Sequence, residues 1–157
     1  MEVRGSVPPD QAPAARPYEG VFRFTAPAID ASVPQIRHSV RELIADLGVP
    51  LDADLRYGLL LIVSELVTNA VKHAAVLSPR ISVELTVGER WIRVAVEDNH
   101  PYRPKALAAD HARTGGRGLL LVKSVTDEAG GSCDSTPTAS GGKVIWATLP
   151  LRAAEAD

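Results

Sequence analysis

The sequence predicts an α+β, two-layer sandwich, in which helices cover one face of a mixed, mostly antiparallel sheet. Three observations predict it. Leu55, Leu59, Ile62, Val63, Leu66, Val67, Ala70 and Val71 recur at helical spacing over a wide arc, as in a helix buried on most of its circumference. Ile81, Val83, Leu85 and Val87, then Ile92, Val94 and Val96, alternate with polar residues on either side of Gly88-Glu89-Arg90, the pattern of an antiparallel hairpin with one buried face. The order strand, helix, helix, hairpin, helix, strands then places the helices together on one side of a sheet.

The elements follow in order. Residues 1–19 carry Pro8, Pro9, Pro13 and Pro17 among Ala, Gly and acidic residues and read as a disordered tail. Val21, Phe22 and Phe24 open a first strand, and Ile36, Val40, Leu43, Ile44 and Leu47 define a helix over 34–47 that Gly48 and Pro50 stop. Asp52 is a suitable cap for the second helix, which runs to about Ala75 before Ser78-Pro79. The hairpin strands span 80–88 and 91–98. The stretch from Asn99 to about Thr114 has no periodicity. A glycine cluster, a helix over 118–129 and strands near 132–136 and 143–149 complete one domain, 20–150, with a frayed end at 151–157.

Composition excludes several classes. The 17 basic and 19 acidic residues are spread along the chain, and aromatic residues make up only 4%, so neither a polyanion-binding stripe nor a base-stacking surface is expected, and no direct nucleic-acid contact. Cys133 is the only cysteine, so no internal disulfide forms. The longest apolar run falls far short of the roughly 18 residues of a membrane span, and no secretion signal is read at the N-terminus. A cytoplasmic enzyme or binding module is the expectation.

Three features break the structural pattern. Glu65, Asn69 and His73 fall at i, i+4 and i+8, one stripe of the second helix, set among Ile62, Leu66 and Ala70. The stripe is either a solvated seam or a set of polar groups that a ligand satisfies. Asp98 shares the strand phase of Ile92, Val94 and Val96, so its carboxylate points to the helix-covered face. It either caps a turn with Asn99-His100-Pro101 or accepts a hydrogen bond from a purine amine. Thr114-Gly115-Gly116-Arg117-Gly118 leads straight into the helix beginning Leu119-Leu120. A glycine turn before a helix is either structural or a cradle for phosphate on free amides. The P-loop and dinucleotide glycine patterns are absent.

Together these places resemble the Bergerat-fold (GHKL) ATPases, the superfamily of gyrase, histidine kinases and MutL, and within it the anti-sigma-factor serine/threonine kinases of bacteria. The resemblance rests on Glu65-Leu66-Val67-Thr68-Asn69-Ala70-Val71-Lys72-His73, on Gly116-Arg117-Gly118-Leu119, and on the closing Gly141-Gly142-Lys143-Val144-Ile145-Trp146-Ala147-Thr148-Leu149-Pro150. It implies Mg-ATP as the cofactor, with Asn69 as the Mg²⁺ ligand and Glu65 as general base or orienting carboxylate. It implies that Asp98 reads the adenine amine, that Gly116, Gly118 and Leu119 border the phosphates, and that the 99–114 loop is a lid. Arg117 is either a neutraliser of γ-phosphate charge or a surface arginine, and His73 a polar residue near the pocket mouth.

The chain departs from the family in three places. Asp98-Asn99-His100-Pro101-Tyr102 lacks the two glycines that usually follow the pocket aspartate. Lys143 or Val144 stands where a threonine commonly supports it, with Thr148 too far along the strand to substitute. Leu120 replaces a glycine of the second box.

The resemblance implies a kinase that phosphorylates a small antagonist protein and sequesters a sigma factor, commonly as a homodimer. The alternative is a nucleotide-binding or degenerate module that regulates a partner by contact alone. A detached histidine-kinase ATPase domain would need an upstream phosphoacceptor, and His38-Ser39-Val40-Arg41-Glu42-Leu43 lacks the usual sequence around it. A zinc site from His100, His111 and Cys133 lacks ligand spacing of the usual kind.

Overall fold

A computed structural model describes residues 2–6, 17–74, 79–98 and 117–151. Six strands, β1 (Glu2–Ser6), β2 (Gly20–Pro27), β3 (Arg80–Val87), β4 (Trp91–Asp98), β5 (Ser132–Pro137) and β6 (Lys143–Pro150), form one sheet in the order β1-β2-β3-β4-β6-β5. Every pairing among the described residues is antiparallel. Helices α1 (Ser32–Leu47), α2 (Ala53–Ala74) and α3 (Arg117–Ala129) contribute the second layer.

The sheet has two chemically distinct faces because side chains alternate along a strand. Phe22, Phe24, Ile81, Val83, Leu85, Ile92, Val94, Val96, Ile145, Ala147 and Leu149 are buried against the helices. The opposite face is polar. Arg23 pairs there with its cross-strand neighbour Glu84, and the Arg93 guanidinium lies 5.2 Å from the Trp146 ring centroid.

Sequence signals account for the helix ends. Gly48 takes a left-handed conformation (φ 72°) and its N–H closes on the last turn of α1. Asp52 caps α2, its Oδ1 accepting from the Leu55 N–H at 2.8 Å. The apolar arc read from the sequence is the buried arc of α2, which packs on β3, β4 and β6 and between α1 and α3.

One expectation needs correction. Residues 2–6, read as part of the disordered tail, pair with β2 at the edge of the sheet. An edge strand can be held by its backbone ladder, and that leaves no apolar alternation in the sequence to find it by.

Candidate functional site

Two close approaches fix how α3 lies on α2. A Cβ built on Gly58 would sit 3.1 Å from Val125 Cγ1, and one built on Gly118 would collide with Glu65 Oε1. Seven residues on along α2 corresponds to seven residues back along α3, so the two helices pack antiparallel. The N-terminus of α3 therefore sits against the middle of α2, beside Glu65.

That end of α3 carries backbone N–H groups without intrahelical partners and the positive end of the helix dipole. The Glu65 carboxylate, half-buried, is placed there. Gly118 leaves room for it, because any side chain at this position would occupy the space of the carboxylate. Leu119 anchors the turn in the core with 4% of its surface exposed, which fixes its backbone relative to α2.

Asn69 stands one turn beyond Glu65 on the same stripe. Its Oδ1 is buried and has no hydrogen-bond partner among the described residues. An amide oxygen in that state costs free energy unless a ligand engages it. Asn69 as a whole is half-buried, while this oxygen is covered from solvent. A hard cation that takes oxygen ligands and retains waters fits such an atom. His73, a further turn along, is half-buried near the C-terminal end of α2.

Asp98 ends β4 on the helix-covered face, as its strand phase predicts, and is 3% exposed. Its partner is a finding of the structure. Strand register sets Asp98 opposite Lys143, and the Lys143 Nζ lies 3.0 Å from both Asp98 oxygens. The lysine side chain is fully buried. Of the two candidates for a residue supporting Asp98, Lys143 makes the contact, whereas Val144 and Thr148 point to the other face with Trp146. The signal was present in the sequence, because Lys143 shares the phase of Ile145, Ala147 and Leu149. What the sequence lacks is the register that brings the lysine to Asp98.

The structure brings Glu65 and Gly118 together and sets Asn69 one helical turn away. Asp98 and Lys143 lie on the strands beneath α2. Gly116, the 99–114 loop and the side chain of Arg117 lie outside the described residues, as do His100, His111 and the C-terminal end from 152. Burial pushes the Cys133 thiol above its ordinary value, against the opposing effect of the Thr126 hydroxyl at 3.4 Å, so it is a poor nucleophile.

Comparison with known proteins agrees with this fold. The family described as the histidine kinase-like ATPase domain matches residues 26–149, which spans every element from the end of β2 to β6. The chain belongs to that family. A sensor histidine kinase, PdtaS of Mycolicibacterium smegmatis, is 30% identical over 112 residues, covering 69% of this chain and 22% of that protein. The chain thus spans less than a quarter of this curated relative. The same fold occurs within one part of a structure that comprises the RsbU and RsbW domains of Rv1364c from Mycobacterium tuberculosis. That match has a TM-score of 0.57 and 21% identity over 84% of this chain and 32% of that one. The catalytic domain of the histidine kinase ThkA matches with a TM-score of 0.51 and 18% identity, over 82% of this chain and 97% of that one. No helix among the described residues is long and apolar enough to cross a membrane.

Proposed function

We propose that this histidine kinase-like ATPase domain binds Mg-ATP and transfers the γ-phosphoryl group to a serine or threonine of a small antagonist protein, and that it also sequesters a sigma factor. The observation that carries the reading is the Glu65–Gly118 approach with the buried Asn69 oxygen one turn away. Phosphoryl transfer asks chiefly for positioning and charge stabilisation. Asn69 would hold Mg²⁺, which when bound supplies charge neutralisation at the phosphates. The free amides of the first turn of α3 would donate hydrogen bonds to phosphate oxygens. Glu65 would orient, or take the proton from, the attacking hydroxyl. Asp98 would contact the base. The choice of serine or threonine, and of sigma factor and antagonist as partners, rests on the 65–73 helix motif and its resemblance to anti-sigma kinases.

The test uses ATP labelled in the γ-phosphate, Mg²⁺ and a panel of small anti-sigma antagonist proteins. Acid-stable label on one of them supports the reading; acid-labile label would indicate phosphohistidine chemistry instead. Glu65→Ala is expected to slow transfer by about 100-fold or more while ATP still binds. Unchanged transfer in that variant would remove Glu65 from the chemistry.

One observation favours the second reading, a regulator acting by partner contact without phosphotransfer. Asp98 is already ion-paired within the protein, which weakens it as an acceptor for a base amine. Partner capture that survives Asn69→Ala and the omission of ATP would select this reading.

A further inference from the structure

We propose that the groove between α2 and α3, at the end of the helix pair away from Glu65, is a docking site for a short amphipathic helix whose apolar stripe is flanked by basic residues. This is a protein-binding surface separate from the candidate nucleotide site, and it does not rest on the reading of that site.

The groove has a volume of about 410 Å³. Its floor is apolar, with Leu55 and Leu149 buried beneath it and Leu61, Val125 and Ala129 half-buried along its walls. Gly58 contributes no side chain, so the backbone of α2 forms part of the base. Tyr57 stands on the rim with 71% of its surface exposed. A ring so exposed adds little to the core, whereas tyrosine is enriched where proteins bind one another.

Charge selects the occupant. Asp54 of α2 and Glu128 of α3 line the groove, one from each helix, and both are exposed. No basic side chain among the described residues lines it. Neither carboxylate has an ion-pair partner among the described residues, whereas the neighbouring Asp127 is engaged by Lys123 at 3.3 Å. Two uncompensated carboxylates beside an apolar trough favour a partner that brings cations, within a reach of roughly 8 Å at physiological salt. Length fits a helix. Asp54 to Leu61 spans about 10 Å of α2, close to two turns, which matches apolar anchors at i, i+3 or i+4, and i+7 of a partner.

The test titrates the whole chain, without nucleotide, with two fluorescein-labelled synthetic helices of about 14 residues. One carries Leu and Lys at amphipathic spacing, and the other has Glu in place of Lys. Fluorescence anisotropy is expected to show the Leu/Lys helix binding at least about tenfold tighter. Asp54→Lys/Glu128→Lys is expected to reverse that preference, and Tyr57→Ala to weaken the Leu/Lys helix by about fivefold or more. Equal binding of the two helices, or binding that either variant leaves unchanged, overturns the proposal. If the charge-reversed variant does not fold, as judged by thermal melting, Tyr57→Ala alone decides. Sedimentation of the chain by itself at rising concentration checks the other occupant: self-association that Tyr57→Ala abolishes would assign the groove to a second copy and overturn the proposal. Because no nucleotide is present, failure here leaves the Mg-ATP reading standing, and failure to bind ATP leaves this inference standing.

Discussion

At the scale of single residues, Glu65 and Gly118 constrain one another. The glycine is in a helix, where alanine is favoured by about 0.5–1 kcal/mol, and its persistence there is explained by the carboxylate that occupies its missing side chain's space. Gly118→Ala is therefore expected to keep the fold and displace the carboxylate. A shift of about 1 Å at a reacting group costs on the order of 100-fold in rate. Comparing phosphotransfer with the urea midpoint of the same variant checks this: activity should fall far more than stability. A variant with unchanged transfer would show that the close approach is only packing. The sequence revealed these residues as anomalies, polar groups at apolar spacing and glycines before a helix. It did not reveal that Gly118 faces Glu65 or that Asp98 faces Lys143, because both contacts join segments far apart in the chain. The Lys143 phase was visible, but a lysine at a strand end reads as a solvated residue until its neighbour across the ladder is known.

At the scale of elements, the site depends on how α3 is seated. Gly58 and Val125 form the second close contact between α2 and α3. A side chain at position 58 crowds Val125, whose Cγ1 would lie 3.1 Å from even a Cβ there. Gly58→Val is expected to destabilise the protein by about 1–3 kcal/mol, the usual cost of overpacking, and to reduce transfer as well by withdrawing Gly118 from Glu65. Chemical denaturation and nucleotide titration of the variant test the two effects separately. Gly58→Val/Val125→Ala should recover much of both. The helices and the β3–β4 hairpin were legible because their apolar periods, 3.6 and 2, are unambiguous over long stretches. β1 was not legible, because an edge strand held by its backbone leaves no such period.

At the scale of the whole molecule, an antiparallel sheet with one helix-covered face carries its polar site on the covered side. That is why the site residues interrupt apolar patterns instead of lying on surface loops. The fold class could be read from the order of elements, since only helices grouped on one face bury both the α2 arc and the inward hairpin residues. The occupants of the site could not, for the candidate residues are spread over α2, α3, β4 and β6. The central claim is that the buried Asn69 oxygen exists to hold Mg²⁺ on ATP. It is tested most directly by calorimetric titration of wild type and Asn69→Ala with ATP, in the presence and absence of Mg²⁺, alongside thermal melting of both unliganded proteins. The account predicts binding by wild type that requires Mg²⁺ and is lost in Asn69→Ala. It also predicts that the unliganded variant is as stable as wild type or more stable by about 0.5–1 kcal/mol, because a buried unsatisfied oxygen is removed and alanine favours the helix. Equal Mg²⁺-dependent binding by the two proteins, or a variant that loses binding only because it unfolds, would contradict it.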